Sequence, residues 1–189
     1  VCDTGRFPEP FLDRVAPLPG DGRPRLEVLP VPVRLGTTWN FRYPSGDNDG
    51  LLWAGRGFSQ LLSGGVAVRH GALSAAIAPE LTWSQNLRFQ TVDTGRPGDL
   101  RFANPFYGDG IDLPQRFGDG PFATWGFGQS YVRLDWHNLA LGLSTENLWV
   151  GPGVRNAILL SNAGPGFPHA FVGTSRPGDV WIGKAEALL

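Results

Sequence analysis

Residues 31 to 43 alternate without a break, with Val31, Val33, Leu35, Thr37, Trp39, Phe41 and Tyr43 set against Pro32, Arg34, Gly36, Thr38, Asn40 and Arg42. A strand turns successive side chains to opposite faces, so this run specifies one long strand with an apolar and a polar face. A helix, with its period of 3.6, cannot sort the same residues. The period of two returns in Phe58 to Arg69 and in Leu73 to Ser84, joined by a tight "RHG" connection. It returns again around Asn138. There Val132, Leu134 and Trp136 alternate with Tyr131, Arg133, Asp135 and His137, and Leu139, Leu141 and Leu143 alternate with Ala140, Gly142 and Ser144. Weaker strands are expected over Ala170 to Thr174 and from near Val180 onward. One helical turn is expected at "DLPQRFG", with Asp112 as cap, Pro114 in the first turn and Gly118 at the end.

Connection lengths add a second constraint. The turns at His70 and Asn138 are short, whereas Pro44 to Gly57, Gln85 to Gln129 and Asn147 to His169 are long. Running the strands alternately up and down brings all three long connections out at one end. Short turns at one end and long loops at the other, with a polar inner and an apolar outer face, describe a bacterial outer-membrane barrel. Its lumen would receive Arg34, Arg42, Arg69, Glu80, Arg133, Asp135 and Glu146. A soluble antiparallel sheet with one wet face has the same periodicity and stays open as the alternative. Trp39, Trp83 and Trp136 suit either a core or an aromatic girdle.

Composition narrows the function classes. Charged residues are 17% of the 189, and the net charge of -1 leaves no basic footprint for nucleic acid. Gly 27 and Pro 17 are numerous, but seven Trp and 12% aromatic residues argue against disorder. Nothing approaches 18 consecutive apolar residues, which excludes a spanning helix and leaves a spanning barrel open. The absence of any Met reads as a processed or truncated piece, and the single Cys2 can form no internal disulfide. No signal peptide is evident, as expected of a mature or truncated product.

Catalytic motifs do not assemble. "GQSYV" at 128 to 132 lacks the second Gly of a nucleophile elbow, and "GPG" at 151 to 153 lacks the Lys and Ser/Thr of a phosphate loop. "SGDNDG" at 45 to 50 lacks the carboxylate ladder and distal Glu of a calcium loop. His70, His137 and His169 are far apart, so no metal or other cofactor is expected. Glu80, Asp135 and Glu146 supply carboxylates for a glycoside hydrolase, a reading set below a non-enzymatic one because carboxylates on a wet face are commonplace. The third long connection, "NLWVGPGVRNAILLSNAGPGFPH", combines Gly and Pro bends with Trp, Arg, Asn and His. Sugars are held by aromatic faces and by planar amides, guanidinium and carboxylate groups. The candidates in this connection are Asn147, Trp149, Arg155, Asn156, Asn162 and His169. The second connection adds Arg101, Asn104, Phe106, Tyr107, Arg116 and Trp125. Arg155 needs an anionic partner, either an acidic polysaccharide or Glu146.

Three stretches carry a family resemblance: "STENLWVGPGVRNAILLSNAGPGFPHAFVGT", "WAGRGFSQLLSGGVAVRHGALSAAIAPELTWSQN" and "IDLPQRFGDGPFATWGFGQSYVRLD". They resemble the capsule-assembly Wzi family of outer-membrane proteins over most of residues 30 to 183. The resemblance implies an all-β, antiparallel transmembrane barrel in the outer membrane of a Gram-negative-type bacterium, monomeric at full length. It further implies a non-catalytic, lectin-like factor that holds capsular or exopolysaccharide at the cell surface. Against that pattern residues 1 to 29 form an amino-terminal extension and residues 30 to 189 a partial barrel. About eight strands are counted, and the carboxyl-terminal half is expected to be missing. A general pore or structural barrel is the runner-up.

Overall fold

The computed structural model of the chain describes residues 25–46, 49–106, 114–148, 161–176, 178–181 and 183–185. The architecture is all-β. Eight strands form one antiparallel sheet: β1 (Leu26–Asn40), β2 (Gly57–His70), β3 (Leu73–Ile77), β4 (Glu80–Ser84), β5 (Phe122–Gly126), β6 (Tyr131–Trp136), β7 (Leu139–Ser144) and β8 (His169–Thr174). β9 (Gly178–Val180) and β10 (Gly183–Ala185) form a separate hairpin. Among the described residues there is no α-helix, and Gly98–Phe102 is a 3-10 turn.

The central strand is β2. One edge pairs with β1, while the other pairs with β4 along its first half and β3 along its second. β3 and β4 are thus two halves of the expected strand Leu73 to Ser84, interrupted at Ala78 and Pro79. Pro79 has no N–H to give to a ladder. Beside the interruption the Ala78 N–H donates to Ser130 Oγ at 2.9 Å, and the Gln129 N–H to the Ala78 carbonyl at 3.2 Å. The neighbouring strand breaks at the same level, so that β5 pairs with β4 and β6 with β3. β7 and β8 complete the order. β1, β5 and β8 each pair on one side alone, and among the described residues the sheet is not closed into a barrel.

Two turns join strands at one end. Both place a positive φ at the first central residue, Gly71 at 58° and His137 at 56°. This is the geometry a two-residue hairpin needs to match strand twist, and glycine adopts it more readily than histidine. The three long connections leave from the opposite end, since β1, the β3–β4 run and β7 all arrive there and β2, β5 and β8 all depart from it.

The polarity of the sheet is inverted relative to a soluble domain. On one face Ser59, Ser74, Ala76, Ala78, Thr82, Ser84, Arg133, Ala140 and Ser144 are buried. On the other Leu35, Trp39, Leu62, Val66, Val68, Leu73, Ile77, Leu81, Trp83, Trp125, Val132, Leu134, Trp136, Leu141, Leu143 and Val172 are exposed. Small residues let the polar face close inward: Phe171 lies over its cross-strand partner Gly142, where an added Cβ would meet the ring at 2.6 Å and the Val132 carbonyl at 2.2 Å.

Several expectations need correction. Val31 does not share the face of Val33 and Leu35. The register shifts between Val31 and Arg34, where β1 supplies two residues against one on β2, so Val31 falls opposite Gly65 on the polar face. Phe41 and Tyr43 lie beyond the end of β1. The second long connection contains the unexpected strand β5 and the 3-10 turn at Gly98–Phe102. Of the expected helical turn, Asp112 lies outside the described residues, and residues 114 to 118 are not helical.

Candidate ligand surface at the loop end

Side-chain amides at the ends of strands hold the long connections. Asn40 Nδ2 donates to the carbonyls of Ser45 at 2.8 Å and Ala54 at 2.8 Å, folding the first connection back over the sheet. Asn86, with φ at 49°, directs Nδ2 to the carbonyls of Phe117 at 2.6 Å and Gly120 at 2.9 Å and gathers the second. The first and third connections meet where the Gly50 N–H donates to the Asn162 carbonyl at 2.7 Å. Gly50 also faces Asn147 Nδ2 and Glu80 Oε2, each 4.0 Å from where its Cβ would stand.

The structure therefore brings Glu80, Asn147 and Asn162 together under Gly50, on the polar side of the sheet at the loop end. Asn147 Nδ2 donates to the Gly164 carbonyl at 3.1 Å, whereas Asn162 Oδ1 is buried without a hydrogen-bond partner. Glu146 is buried near them, and Ser144 Oγ accepts from its N–H at 2.9 Å and lies 3.2 Å from its Oε2. His169 opens β8 opposite Ser144, with Nδ1 2.8 Å from the Phe167 carbonyl and its ring 5.0 Å from that of Phe167.

Other candidates are placed elsewhere. Arg116, a candidate ligand contact, is buried at 4% exposure and held within the second long connection. Its Nη2 donates to the carbonyls of Asn86 at 2.7 Å and Asp119 at 2.8 Å, and its guanidinium lies 5.6 Å from the centre of the Phe102 ring. Burial pushes its pKa down, with Arg88 and Arg101 adding and Asp119 opposing. It remains a cation at neutral pH. Trp125 stands opposite Leu81 on the apolar face, away from Glu80, and joins the aromatic positions of that face rather than the loop cluster. Phe106 is almost fully exposed. Trp149, Arg155, Asn156 and Tyr107 lie outside the described residues, and with them the choice between Glu146 and a ligand for Arg155.

Of the expected inward-facing residues, Arg34 and Glu80 flank Ser63 in one row of the polar face, Arg34 remaining exposed. Arg133 and Asp135 stand on the same face at the short-turn end. Arg42 lies beyond β1 and is exposed. The Asp135 N–H donates to the Ala72 carbonyl, eight positions along the chain from Glu80, which separates the two by about 26 Å of strand. A hydrolase carboxylate pair stands no more than about 9.5 Å apart, so Glu80 and Asp135 do not form one.

Gly50 and Asn86 escaped the sequence reading. Asn86 has no local signal beyond its place at a strand end, and the role of Gly50 depends on a connection more than a hundred residues away. Comparison of the chain with protein-family models, curated proteins and solved structures finds no match.

Proposed function

We propose that the sheet is part of the wall of an outer-membrane β-barrel that holds acidic capsular or exopolysaccharide at the cell surface without chemical turnover. The observation that carries the reading is the inverted polarity: serines, a threonine and Arg133 are buried, while leucines, valines and tryptophans stand exposed across the opposite face. Soluble monomers rarely leave a contiguous apolar patch of more than a few hundred Å² in water, whereas lipid accepts such a face. The aromatic cluster of Trp39, Phe58 and Trp83, with centroids 5.8 and 6.4 Å apart, lies at the loop end of that face, where a girdle meets the membrane interface. Open edges at β1, β5 and β8 are not tolerated in lipid, so the barrel reading requires further pairing along them.

Polysaccharide contact is supported by the loop end. It carries the exposed ring of Phe106 and, beneath Gly50, the amides of Asn147 and Asn162 with the carboxylate of Glu80, groups of the kinds that stack on sugar rings and bond to hydroxyls. Trp149, Arg155 and Asn156 of the third long connection, outside the described residues, offer the same kinds of group by sequence. The test uses the full-length protein in its own membrane. Heat-modifiable gel migration and outer-membrane fractionation are expected, together with loss of cell-bound polysaccharide in Trp149→Ala and Arg155→Ala. A soluble monomer ends the barrel reading. Full retention in both variants ends the third-loop assignment, and conductance without glycan binding assigns a general pore instead.

A further inference from the structure

We propose that the polar face at the short-turn end, far from the long loops, contains a binding site for a small organic oxyanion, a carboxylate or phosphate carried on a sugar-sized body. The register places Glu27, Arg69, Ser74, Arg133 and Gly142 in one row across five strands. Two guanidinium side chains thus flank one serine, their strands about 10 Å apart. A cavity of about 210 Å³ opens over this row, and Arg176 and His137 contribute to its wall from beyond β8 and from the β6–β7 turn.

Both arginines of the row have an acidic neighbour, held at different distances. Asp135 receives Arg133 through Nε at 3.0 Å and Nη2 at 2.7 Å, and its Oδ1 also accepts from Ser175 Oγ at 2.6 Å. Glu27 is 3.7 Å from Arg69 Nη1, beyond a normal hydrogen bond. Glu27 therefore holds Arg69 only loosely, and Arg69 lines the cavity beside Ser74.

Ser74 points to the ligand independently of charge. It is 4% exposed, lines the cavity, and its hydroxyl has no hydrogen-bond partner. A buried hydroxyl left unsatisfied is destabilising, and an oxyanion held between Arg69 and Arg133 lies where that hydroxyl can donate. Guanidinium groups bond the paired oxygens of carboxylate and phosphate through two N–H groups at once. The cavity wall also includes Gly71, Ala72 and Leu73, which provide surface for the rest of a small organic molecule.

This inference stands on the cavity and not on the loop-end site, so either can fail without the other. The test is calorimetric titration of the full-length protein in detergent with glucuronate, glucose 6-phosphate, inorganic phosphate and glucose. Saturable binding is expected for at least one of the two acidic sugars, weakened by salt, with none for glucose. Ser74→Ala is expected to reduce affinity about five-fold while raising thermal stability, because it removes an unsatisfied hydroxyl. Arg69→Gln is expected to reduce affinity ten-fold or more. Absence of binding by both acidic sugars overturns the site, as does equal binding of glucose. Inorganic phosphate binding as tightly as glucose 6-phosphate overturns the sugar-sized body. Should Arg69→Gln not fold, an unchanged affinity in Ser74→Ala, shown folded by heat-modifiable migration, overturns the assignment alone.

Discussion

Replacing Ile77 by arginine separates a lipid-facing sheet from a soluble one. Ile77 is 68% exposed on the apolar face, near the middle of the run from Leu73 to Trp83. Those ten residue steps span about 33 Å along the strand, or about 25 Å of membrane depth at a tilt of about 40°. Ile77, four steps above Leu73, then lies about 10 Å from the lower limit of the apolar band and about 15 Å from the upper, within a few ångströms of its middle. Arginine at that depth costs about 2–4 kcal/mol, whereas at Leu73, close to the interface, it costs about 0–1 kcal/mol. In water a substitution at so exposed a position stays within about 0.5 kcal/mol. The lipid reading therefore separates Ile77→Arg from Leu73→Arg by about 2 kcal/mol, roughly 30-fold in the folding equilibrium. Ile77→Ala measures the lost contact with Val66 across the pair and leaves the charge effect by difference. The assay is denaturant titration of the full-length protein folding into phosphatidylcholine vesicles. Equal effects of arginine at both positions, or no effect at Ile77, would refute the assignment of this face to lipid.

Three further outcomes follow from local geometry. Gly142→Ala is expected to destabilise by about 1–3 kcal/mol, since the new Cβ meets the Val132 carbonyl and the Phe171 ring, while Gly120→Ala, with open space around it, is near neutral in the same denaturation assay. Gly71→Ala is expected to cost about 1–2 kcal/mol and His137→Gly to be neutral or to stabilise by up to about 1 kcal/mol, because both positions hold a left-handed φ; thermal denaturation reads the signs. Arg116→Ala is expected to loosen the second long connection at a cost of about 2–4 kcal/mol, because it leaves the Asn86 and Asp119 carbonyls without their donor; limited proteolysis within residues 85–121 then proceeds faster.

Much of the sheet was legible in the chain because the side-chain period of a strand is written directly into it. β2, β6, β7 and β8, and the long run of β1, stand where alternation puts them. The departures have local physical causes that alternation cannot carry. Pro79 splits one strand in two, and the bulge at Pro32 and Val33 turns Val31 over to the other face. β5, at "FATWG", is too short to show a period and is recognisable only by its pairing with β4. The site was less legible. Arg116 reads as an open loop cation until Asn86, thirty residues earlier, is seen to receive it, and Trp125 reads as a loop aromatic until its partner Leu81 sets its face.

Alternation alone does not say which face is inside. A soluble sheet and a barrel wall share the sequence rule of apolar against polar and differ only in the direction of curvature. Here the residues opposite the leucines and tryptophans are Ser59, Ser74, Ala76, Ala78, Thr82, Ser84 and Gly142. Side chains this small let that face close on itself, as Phe171 over Gly142 and the Ser59 and Ser84 hydroxyls 3.1 Å apart illustrate. Of the charged members of the face, Arg133 is buried with Asp135 as an ion-pair partner. A sheet that curls toward its small residues turns its large ones out, which is the curvature the proposed barrel wall requires. Small residues on one face and bulky apolar ones on the other thus leave an apolar surface that, in the proposed barrel, meets lipid.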